Sequence, residues 1–257
     1  MASADFSQLT AIIPTSNRPK SLQRLVRSVQ KNCPKLRILV ADDGQEAVKC
    51  KGVESLRLPV GVGRSAACNA MLARLRTPYF LMLDDQCELT GESKIETLLD
   101  LVQVDMLDVA AGDLVGSRRR LWFFVRREPQ PEHGTFEIAG DKLTLHRGHR
   151  TVGEGYCWCD IVHNFYVART DKVRNMGGWD PELVNDEREE FFFRGHRHGL
   201  RVGISPEVST LLWHERESDS AEPVANLKSL ATAKMGLTRM TDFDGLVTKA
   251  PRRVMAA

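Results

Sequence analysis

Residues 79–85 read YFLMLDD, an apolar run that passes directly into two adjacent acids, Asp84 and Asp85. A short apolar run without alternation is typical of a strand buried on both faces. Three similar runs precede it, at 9–13, 36–41 and 56–60, and segments with helical spacing of apolar residues begin at Pro19 and near Ser65. This alternation predicts an α/β fold, in which a mostly parallel central sheet is flanked by helices.

The chain beyond residue 85 keeps this pattern only in part. The segment 117–151 is rich in Arg, His, Gly and Pro, and it predicts a hairpin or an insertion that is a candidate lid. Residues beyond 218 predict a partly helical tail. Other predicted elements are a helix near 93–104, strands at 107–111 and 161–168, a turn at 177–181, a helix at about 186–198 ended by Gly199, and strands at 201–204 and 208–213.

Composition excludes several classes of protein. The 257 residues carry 36 Lys and Arg against 34 Asp and Glu, and this near-neutral balance argues against a nucleic-acid binder. No apolar run approaches the roughly 20 residues of a membrane span, and no secretory signal is visible at the N-terminus. Six cysteines without a CxxC pair favour free thiols in a reducing compartment, and the alternative for a luminal fragment is disulfides, which the even count allows. We therefore expect a cytoplasmic chain with no membrane span and no nucleic-acid partner.

Polar residues follow three of the predicted strands, at 15–18, 42–43 and 84–85. Ligands of parallel sheets bind at the carboxyl ends of the strands, so these side chains are expected to share one crevice. Paired carboxylates there suit Mg²⁺ or Mn²⁺, which take oxygen ligands and bridge to phosphates. The alternative for the acids at 84–85 is a pair of solvated turn residues.

Four other patterns each have a functional and a plain interpretation. The sequence GVGR at 61–64 opens a helix and would suit a phosphate, or it is only a turn. The acids at 186–190 present a general base, or they only complement the helix dipole. His214 is a metal ligand or a capping imidazole. The arginines at 118–120, 126–127, 147 and 150 form a solvated face, or they bind an acidic acceptor.

The order of these motifs resembles family 2 glycosyltransferases with the GT-A (Rossmann-like) fold. The motifs are AIIPTSNRPKSLQRLVRSV at 11–29, ILVADDG at 38–44, GVGRSAACNAML at 61–72, YFLMLDDQ at 79–86 and GGWDPEL at 177–183. The stretch 160–215 is more narrowly similar to β-1,4-N-acetylgalactosaminyltransferases of the ganglioside synthase type. The resemblance implies a single domain over 1–257 with a small antiparallel portion: a nucleotide-binding half at 9–110, an acceptor-binding half at 111–215 and a tail at 216–257.

The resemblance further implies a UDP-sugar donor and an inverting transfer, with N-acetylgalactosamine as the expected sugar. The metal ligands would be Asp85, Gln86 and His214, with Mn²⁺ or Mg²⁺ as the ion. Gln86 stands where relatives have a third acid, and its neutral amide is a weaker ligand for a hard cation. The donor residues implied are Pro14, Thr15, Asn17, Arg18, Asp42, Asp43, Gly63, Arg64, Asn69 and Asp84.

Arg188 departs from the family at the catalytic base, because many relatives carry an acid or a histidine there and arginine cannot accept a proton. We expect Glu190 to be the base, followed by Glu187 and Glu189. The resemblance implies a glycan acceptor, and an acidic glycan is one candidate. The residues that would contact it are Gly178, Trp179, Asp180, Asp160 and Asn164. As a fragment of an anchored enzyme, the chain would work in the Golgi lumen.

Three alternatives stay open at this point. A sugar-nucleotide pyrophosphorylase shares the α/β layout, but 13–20 lacks the glycine- and lysine-rich loop that holds a triphosphate. A catalytically inactive nucleotide-sugar-binding module would explain Gln86 and Arg188. A family 2 enzyme could also use UDP-glucose, UDP-galactose or UDP-GlcNAc.

Overall fold

A computed structural model describes residues 5–121, 124–213 and 225–251 of the chain. The helices in these residues are α1 (Pro19–Asn32), α2 (Arg64–Arg74), α3 (Ile95–Gln103), α4 (Thr170–Asn175), α5 (Arg188–Arg197) and α6 (Ala225–Lys234). The strands are β1 (Leu9–Thr15), β2 (Arg37–Asp42), β3 (Glu54–Arg57), β4 (Tyr79–Leu83), β5 (Cys87–Glu88), β6 (Val109–Leu121), β7 (Phe124–Gln130), β8 (Gly134–Ala139), β9 (Lys142–Arg147), β10 (Cys157–Cys159), β11 (Phe165–Arg169), β12 (Val202–Trp213), β13 (Arg239–Thr241) and β14 (Val247–Lys249).

The main sheet joins a parallel half to a mixed half. Strands β4, β1, β2 and β3 are neighbours in that order and all parallel. Beyond β4, strand β11 runs antiparallel to both β4 and β6, and β12 returns parallel to β6. The predicted α/β fold is confirmed, and its antiparallel portion begins at β11.

Alternate residues of the central strands pack into two cores, one on each face of the sheet. In β1, Ala11 and Ile13 pack with the apolar side of α1 and with α3, whereas Ile12 packs with α2 and α5. This period of two is why β1 and β4 carry almost uninterrupted apolar residues. Helix α1 buries Leu22, Leu25, Val26 and Val29, as its spacing predicts.

Three predicted strands have different bounds in the structure. Strand β3 ends at Arg57, before the proline of the predicted run 56–60. The run 161–168 becomes a strand only at Phe165, because residue 161 bonds instead to the backbone of Gly134. The two predicted strands at 201–204 and 208–213 are one strand, β12, with a register shift between Ser205 and Ser209.

A second sheet contains four strands within the described residues, in the order β14-β13-β9-β8. The segment 117–151 therefore supplies hairpins, β6–β7 to the main sheet and β8–β9 to the second one. The predicted tail is part of the fold, since β13 pairs in parallel with β9, joining Met240 to Leu143. Residues 216–224 and 252–257 of the predicted tail lie outside the described residues.

Two further observations concern the cysteines and the helices. All six cysteines are free thiols. Of the helices that the structure describes, none combines the length and the apolar character that a membrane span requires.

The buried packing of β13 predicts that the C-terminal segment stabilises the fold. Met240 is 2% exposed and lies in the same core as Ile12, whereas Leu246, which follows β13, is 61% exposed. Met240→Ala is expected to lower the free energy of unfolding by about 2–5 kcal/mol, because it leaves a cavity. The matched variant Leu246→Ala is expected to change it by less than about 0.5 kcal/mol. Urea denaturation measures both, and equal effects would show that the tail does not pack as described.

Candidate functional site

The carboxyl ends of β1 and β4 are joined by side chains. The Thr15 hydroxyl donates a hydrogen bond of 2.7 Å to Oδ2 of Asp85, and Arg18 Nη1 lies 3.3 Å from Oδ1 of the same carboxylate. Strand β2 ends beside them, because Thr15 pairs with Asp42 in the parallel register. The three strand ends thus meet as the sequence predicts.

Asp84 and Asp85 are adjacent acids with opposite pKa shifts. Burial opposes the charge of Asp84, but Arg64 Nη1 at 2.8 Å and the backbone N–H of Gln86 at 3.0 Å outweigh it and lower its pKa. Burial and the neighbouring Asp84 raise the pKa of Asp85 to about 6. Neighbouring carboxylates in a buried place titrate at different pH values, and Arg64 makes Asp84 the first of the two to ionise as the pH rises.

The start of α2 is closed by protein groups. Gly63 precedes the helix at φ 86°, and a Cβ there would clash with Val184. The backbone N–H of Gly63 donates to Asp43 at 2.8 Å, that of Arg64 to the Asn185 side chain at 3.0 Å, and that of Ser65 to the carbonyl of Val184 at 2.9 Å. The amides of Arg64 and Ser65 therefore hold the 184–185 loop, whereas the amide of Gly63 holds Asp43, so all three already have partners within the fold.

A cleft of about 320 Å³ opens next to Asp84. It is lined by charged and polar side chains together with a few apolar ones. They are Arg64, Asp84, Gln86, Cys87, Leu114, Glu132, His163, Asn164, Asn185, Asp186, Glu187, Arg188, Glu189, Leu212 and Lys228.

Glu187 is the most distinctive acid in this cleft. It is 3% exposed, it immediately precedes α5, and its Oε1 lies 3.7 Å from Arg64 Nε. Its other oxygen, Oε2, is buried and has no hydrogen-bond partner among the described residues. Burial raises the pKa of Glu187, although Arg64 opposes the shift. A buried carboxylate with an open lone pair and a raised pKa can accept a proton.

Glu190, our first choice for the base, has a different environment. Both of its oxygens accept hydrogen bonds from Arg194, at 2.6 and 3.0 Å, and it does not line the cleft. Arg194 also donates to the carbonyl of Gly178 at 2.8 Å. Glu190 therefore anchors the turn before α5. Glu189 lines the cleft but pairs with Arg188 at 3.2 Å. The geometry thus favours Glu187.

Of the five residues expected at the acceptor, only Asn164 lines the cleft. Trp179 is buried and stacks on Phe191, with ring centroids 4.9 Å apart. Asp180 caps the short helix Pro181–Leu183 and pairs with Lys234 at 2.7 Å.

Asp160 and Gly178 also take structural roles. Asp160 accepts from Arg150 at 2.6 Å and from the backbone of Phe136, and it lies 3.1 Å from His196. A Cβ on Gly178, which has φ 70°, would clash with Asn69. Neither of these two residues lines the cleft.

The residues expected at the donor divide into two groups. Thr15, Arg18, Asp84 and Arg64 meet at the strand ends, as described above. Asn69 instead bonds to both backbone groups of Trp179, at 2.6 and 2.9 Å. Like Asn69, the remaining residues belong to the second group and are engaged within the fold: Pro14 is buried in β1, Asn17 Oδ1 accepts from Gln45 N–H at 2.7 Å, Asp42 pairs with Arg57 at 3.0 Å, and Asp43 holds Gly63.

Two of the three expected metal ligands, Asp85 and Gln86, lie among the described residues, where no cluster of acids, histidines or cysteines forms a metal site. All four carboxylate oxygens of Asp84 and Asp85 already accept from Thr15, Arg18, Arg64 or the Gln86 N–H. Gln86 itself offers only an amide, and His214 lies outside the described residues. Over 5–121, 124–213 and 225–251, no three His, Cys, Asp or Glu side chains are grouped for a metal.

The predicted arginine cluster is only partly described. Arg147 pairs with Asp244 at 2.9 Å and Arg150 with Asp160 at 2.6 Å. The side chains at 118–120 and 126–127 lie outside the described residues. The two arginines that are described are therefore engaged within the fold.

Among the cleft residues with a charged, imidazole or amide side chain, sequence reasoning missed four: Glu132, His163, Asn185 and Lys228. Burial lowers the pKa of His163 to about 3, so the imidazole is neutral. Its Nε2 lies 3.0 Å from the Gly112 carbonyl oxygen. Asn185 adjoins the acidic run and could have been included with it. Glu132 and Lys228 come from the predicted insertion and tail, where no sequence signal points to the cleft.

Comparison with known proteins places the chain in a family. The family model described as Glycosyl transferase family 2 matches residues 10–162. The chain is 31% identical to human beta-1,4 N-acetylgalactosaminyltransferase 1 over 253 residues, which is 91% of this chain and 46% of that protein. It is 29% identical to the mouse beta-1,4 N-acetylgalactosaminyltransferase 2 over 222 residues, 84% of this chain and 41% of that protein. The chain thus spans less than half the length of these relatives.

Solved structures share the fold. The crystal structure of GalNAc-T7 with UDP, GalNAc and Mn²⁺ has a TM-score of 0.63 at 14% identity, covering 88% of this chain and 47% of that one. S. aureus TarS 1-349 in complex with UDP-GlcNAc has a TM-score of 0.62 at 14% identity, covering 88% and 66%. At such low identity these likenesses establish the GT-A fold alone. The family model covers more than half of the chain, which therefore belongs to glycosyl transferase family 2.

Proposed function

We propose that the chain transfers N-acetylgalactosamine from a UDP-linked donor to a hydroxyl of a glycan acceptor, with inversion at the anomeric carbon. The family and the names of the two relatives support the reaction and the sugar. The observation that carries the proposal is the cleft in which Glu187, with a free oxygen, lies 3.7 Å from the arginine that binds Asp84 at the strand ends.

The donor's nucleotide would occupy the carboxyl ends of β1, β2 and β4. Asn17 and Asp42 lie at that edge, and Arg18 and Arg64 bring two positive charges to it. Positive charge close to the departing diphosphate stabilises the charge that develops there in the transition state. The GalNAc-T7 structure contains Mn²⁺, whereas the described residues of this chain group no three His, Cys, Asp or Glu side chains for such an ion.

The transfer itself is a single displacement. The acceptor hydroxyl oxygen forms a bond to the anomeric carbon while the bond from that carbon to the donor's phosphate oxygen breaks. The bonding pair leaves with UDP, and the hydroxyl proton passes to Oε2 of Glu187. General-base catalysis of this kind contributes about 10²- to 10⁴-fold to a rate.

A second candidate function is nucleotide-sugar binding without turnover. It is favoured by Arg188, which lies in the cleft bonded to Glu132 at 3.0 Å and to Glu189 at 3.2 Å. An arginine cannot serve as a base, so inactivity would follow if Glu187 did not accept the proton.

Glu187→Gln is expected to lower the rate of UDP release from UDP-N-acetylgalactosamine about 10²-fold or more, because it removes the base. Glu190→Gln, corrected for any loss of stability seen in thermal unfolding, is expected to be much milder. In the wild-type chain the rate should rise with pH through a pKa above that of an ordinary glutamate, because Glu187 must be ionised to accept the proton and burial raises its pKa.

The assay uses a panel of UDP-sugars with a galactoside and sialyllactose as acceptors. If Glu190→Gln abolishes release while Glu187→Gln does not, the assignment of the base is wrong. Binding of UDP without release from any donor would favour the second candidate. If UDP does not bind, both candidates fail.

Gln86 predicts weak dependence on a divalent metal. The wild-type rate is expected to change little between Mn²⁺ and EDTA, because the carboxylate oxygens beside Gln86 are already engaged. Gln86→Asp supplies an anionic oxygen ligand of the kind that hard cations prefer, so it should increase the stimulation by Mn²⁺. Strong Mn²⁺ dependence of the wild-type chain would contradict this prediction.

A further inference from the structure

Arg64 contacts two acids of the cleft, Asp84 and Glu187. Its Nη1 donates to Asp84 at 2.8 Å, whereas its Nε lies 3.7 Å from Glu187, close enough for an ion pair but too far for a hydrogen bond. About a quarter of the side chain is exposed to the cleft. Burial works against its charge, but Asp84 and Glu187 outweigh this effect and raise the pKa of Arg64, which therefore stays cationic.

The groups around Glu187 show what opposes its raised pKa. They are Arg64 and Cys68 from α2, Tyr166 from β11, and Asp186 and Glu189 along its own chain. Burial raises the pKa of both the Cys68 thiol and the Tyr166 hydroxyl, so these two stay neutral. The two acids repel the charge of Glu187, and Arg64 stabilises it.

We infer that Arg64 couples donor binding to the basicity of Glu187, holding the carboxylate as an ion pair until the donor's diphosphate draws the guanidinium away. This inference rests on the proposed function. It assigns Arg64 as a positioning residue for the base, in addition to its contact with the donor.

The direction of the coupling follows from electrostatics. A guanidinium binds phosphate oxygens through paired N–H donors, and the Arg64 side chain makes one hydrogen bond, to Asp84, among the described residues. When the guanidinium turns toward the diphosphate, Glu187 loses the positive charge that lowers its pKa, and that pKa rises. The carboxylate becomes a stronger base when the donor is in place. Without the donor, the Glu187 carboxylate is a weaker base and takes up a proton less readily.

Linkage makes this inference measurable without turnover. If UDP binding raises the pKa of Glu187, the complex takes up protons, and UDP binds more tightly as pH falls through that window. For each unit by which UDP binding raises the pKa of Glu187, the affinity for UDP is about tenfold higher at the low-pH end of that window than at its high-pH end. Calorimetric titration of UDP in buffers of different ionisation enthalpy measures the proton uptake directly.

The comparison uses four variants of the whole chain. UDP titrates on its own, so the signal is the uptake by the wild type in excess of the uptake by Glu187→Gln. Arg64→Gln is expected to abolish this excess and to weaken UDP binding about tenfold, whereas Arg64→Lys should retain part of it. The control is Arg74→Gln on the same helix, whose side chain is 60% exposed and pairs with Glu54 at 3.6 Å. It should behave as the wild type.

The outcomes separate this inference from the proposed function. If the wild type binds UDP without excess proton uptake, the coupling is wrong and the proposed function stands. Excess uptake that persists in Arg64→Gln, in a variant whose thermal unfolding matches Arg74→Gln, also overturns the coupling. If the wild type does not bind UDP at all, the proposed function fails and the coupling fails with it.

Discussion

The hydrogen bond from Thr15 to Asp85 joins the ends of β1 and β4, and the site depends on it. A parallel register places Thr15 beside Asp42, so one slip of β1 would turn its polar end into the core. With Asp85 held by Thr15 and Arg18, Asp84 is left to face α2. The carboxylate of Asp84 then orients Arg64, and Arg64 in turn reaches Glu187.

Local pattern predicted the parallel half of the fold well, because both faces of its strands are buried. The apolar runs of β1 and β4 and the helical spacing of α1 required no knowledge of distant residues. The second sheet could not be predicted in the same way. Its strand β13 pairs with β9 across about a hundred residues of sequence, and a three-residue strand carries almost no pattern of its own.

The acids of the site show a similar limit. Sequence placed 186–190 at the start of a helix but could not rank them by burial or partner. One signal was available, because Glu190 and Arg194 stand four residues apart, which is the spacing of an ion pair on a helix. It would have marked Glu190 as engaged. The free oxygen of Glu187 depends instead on packing between α2, β11 and α5, which no local pattern encodes.

The placement of β13 and α6 has a consequence for the order in which the protein forms during synthesis. The ribosome releases β1 to β4 early, and these strands can pair among themselves as they emerge. The cleft is different, since Lys228 lines it and Lys234 pairs with Asp180. Its wall therefore closes only after α6 has left the ribosomal tunnel, so nascent chains contain paired parallel strands before they contain a complete site.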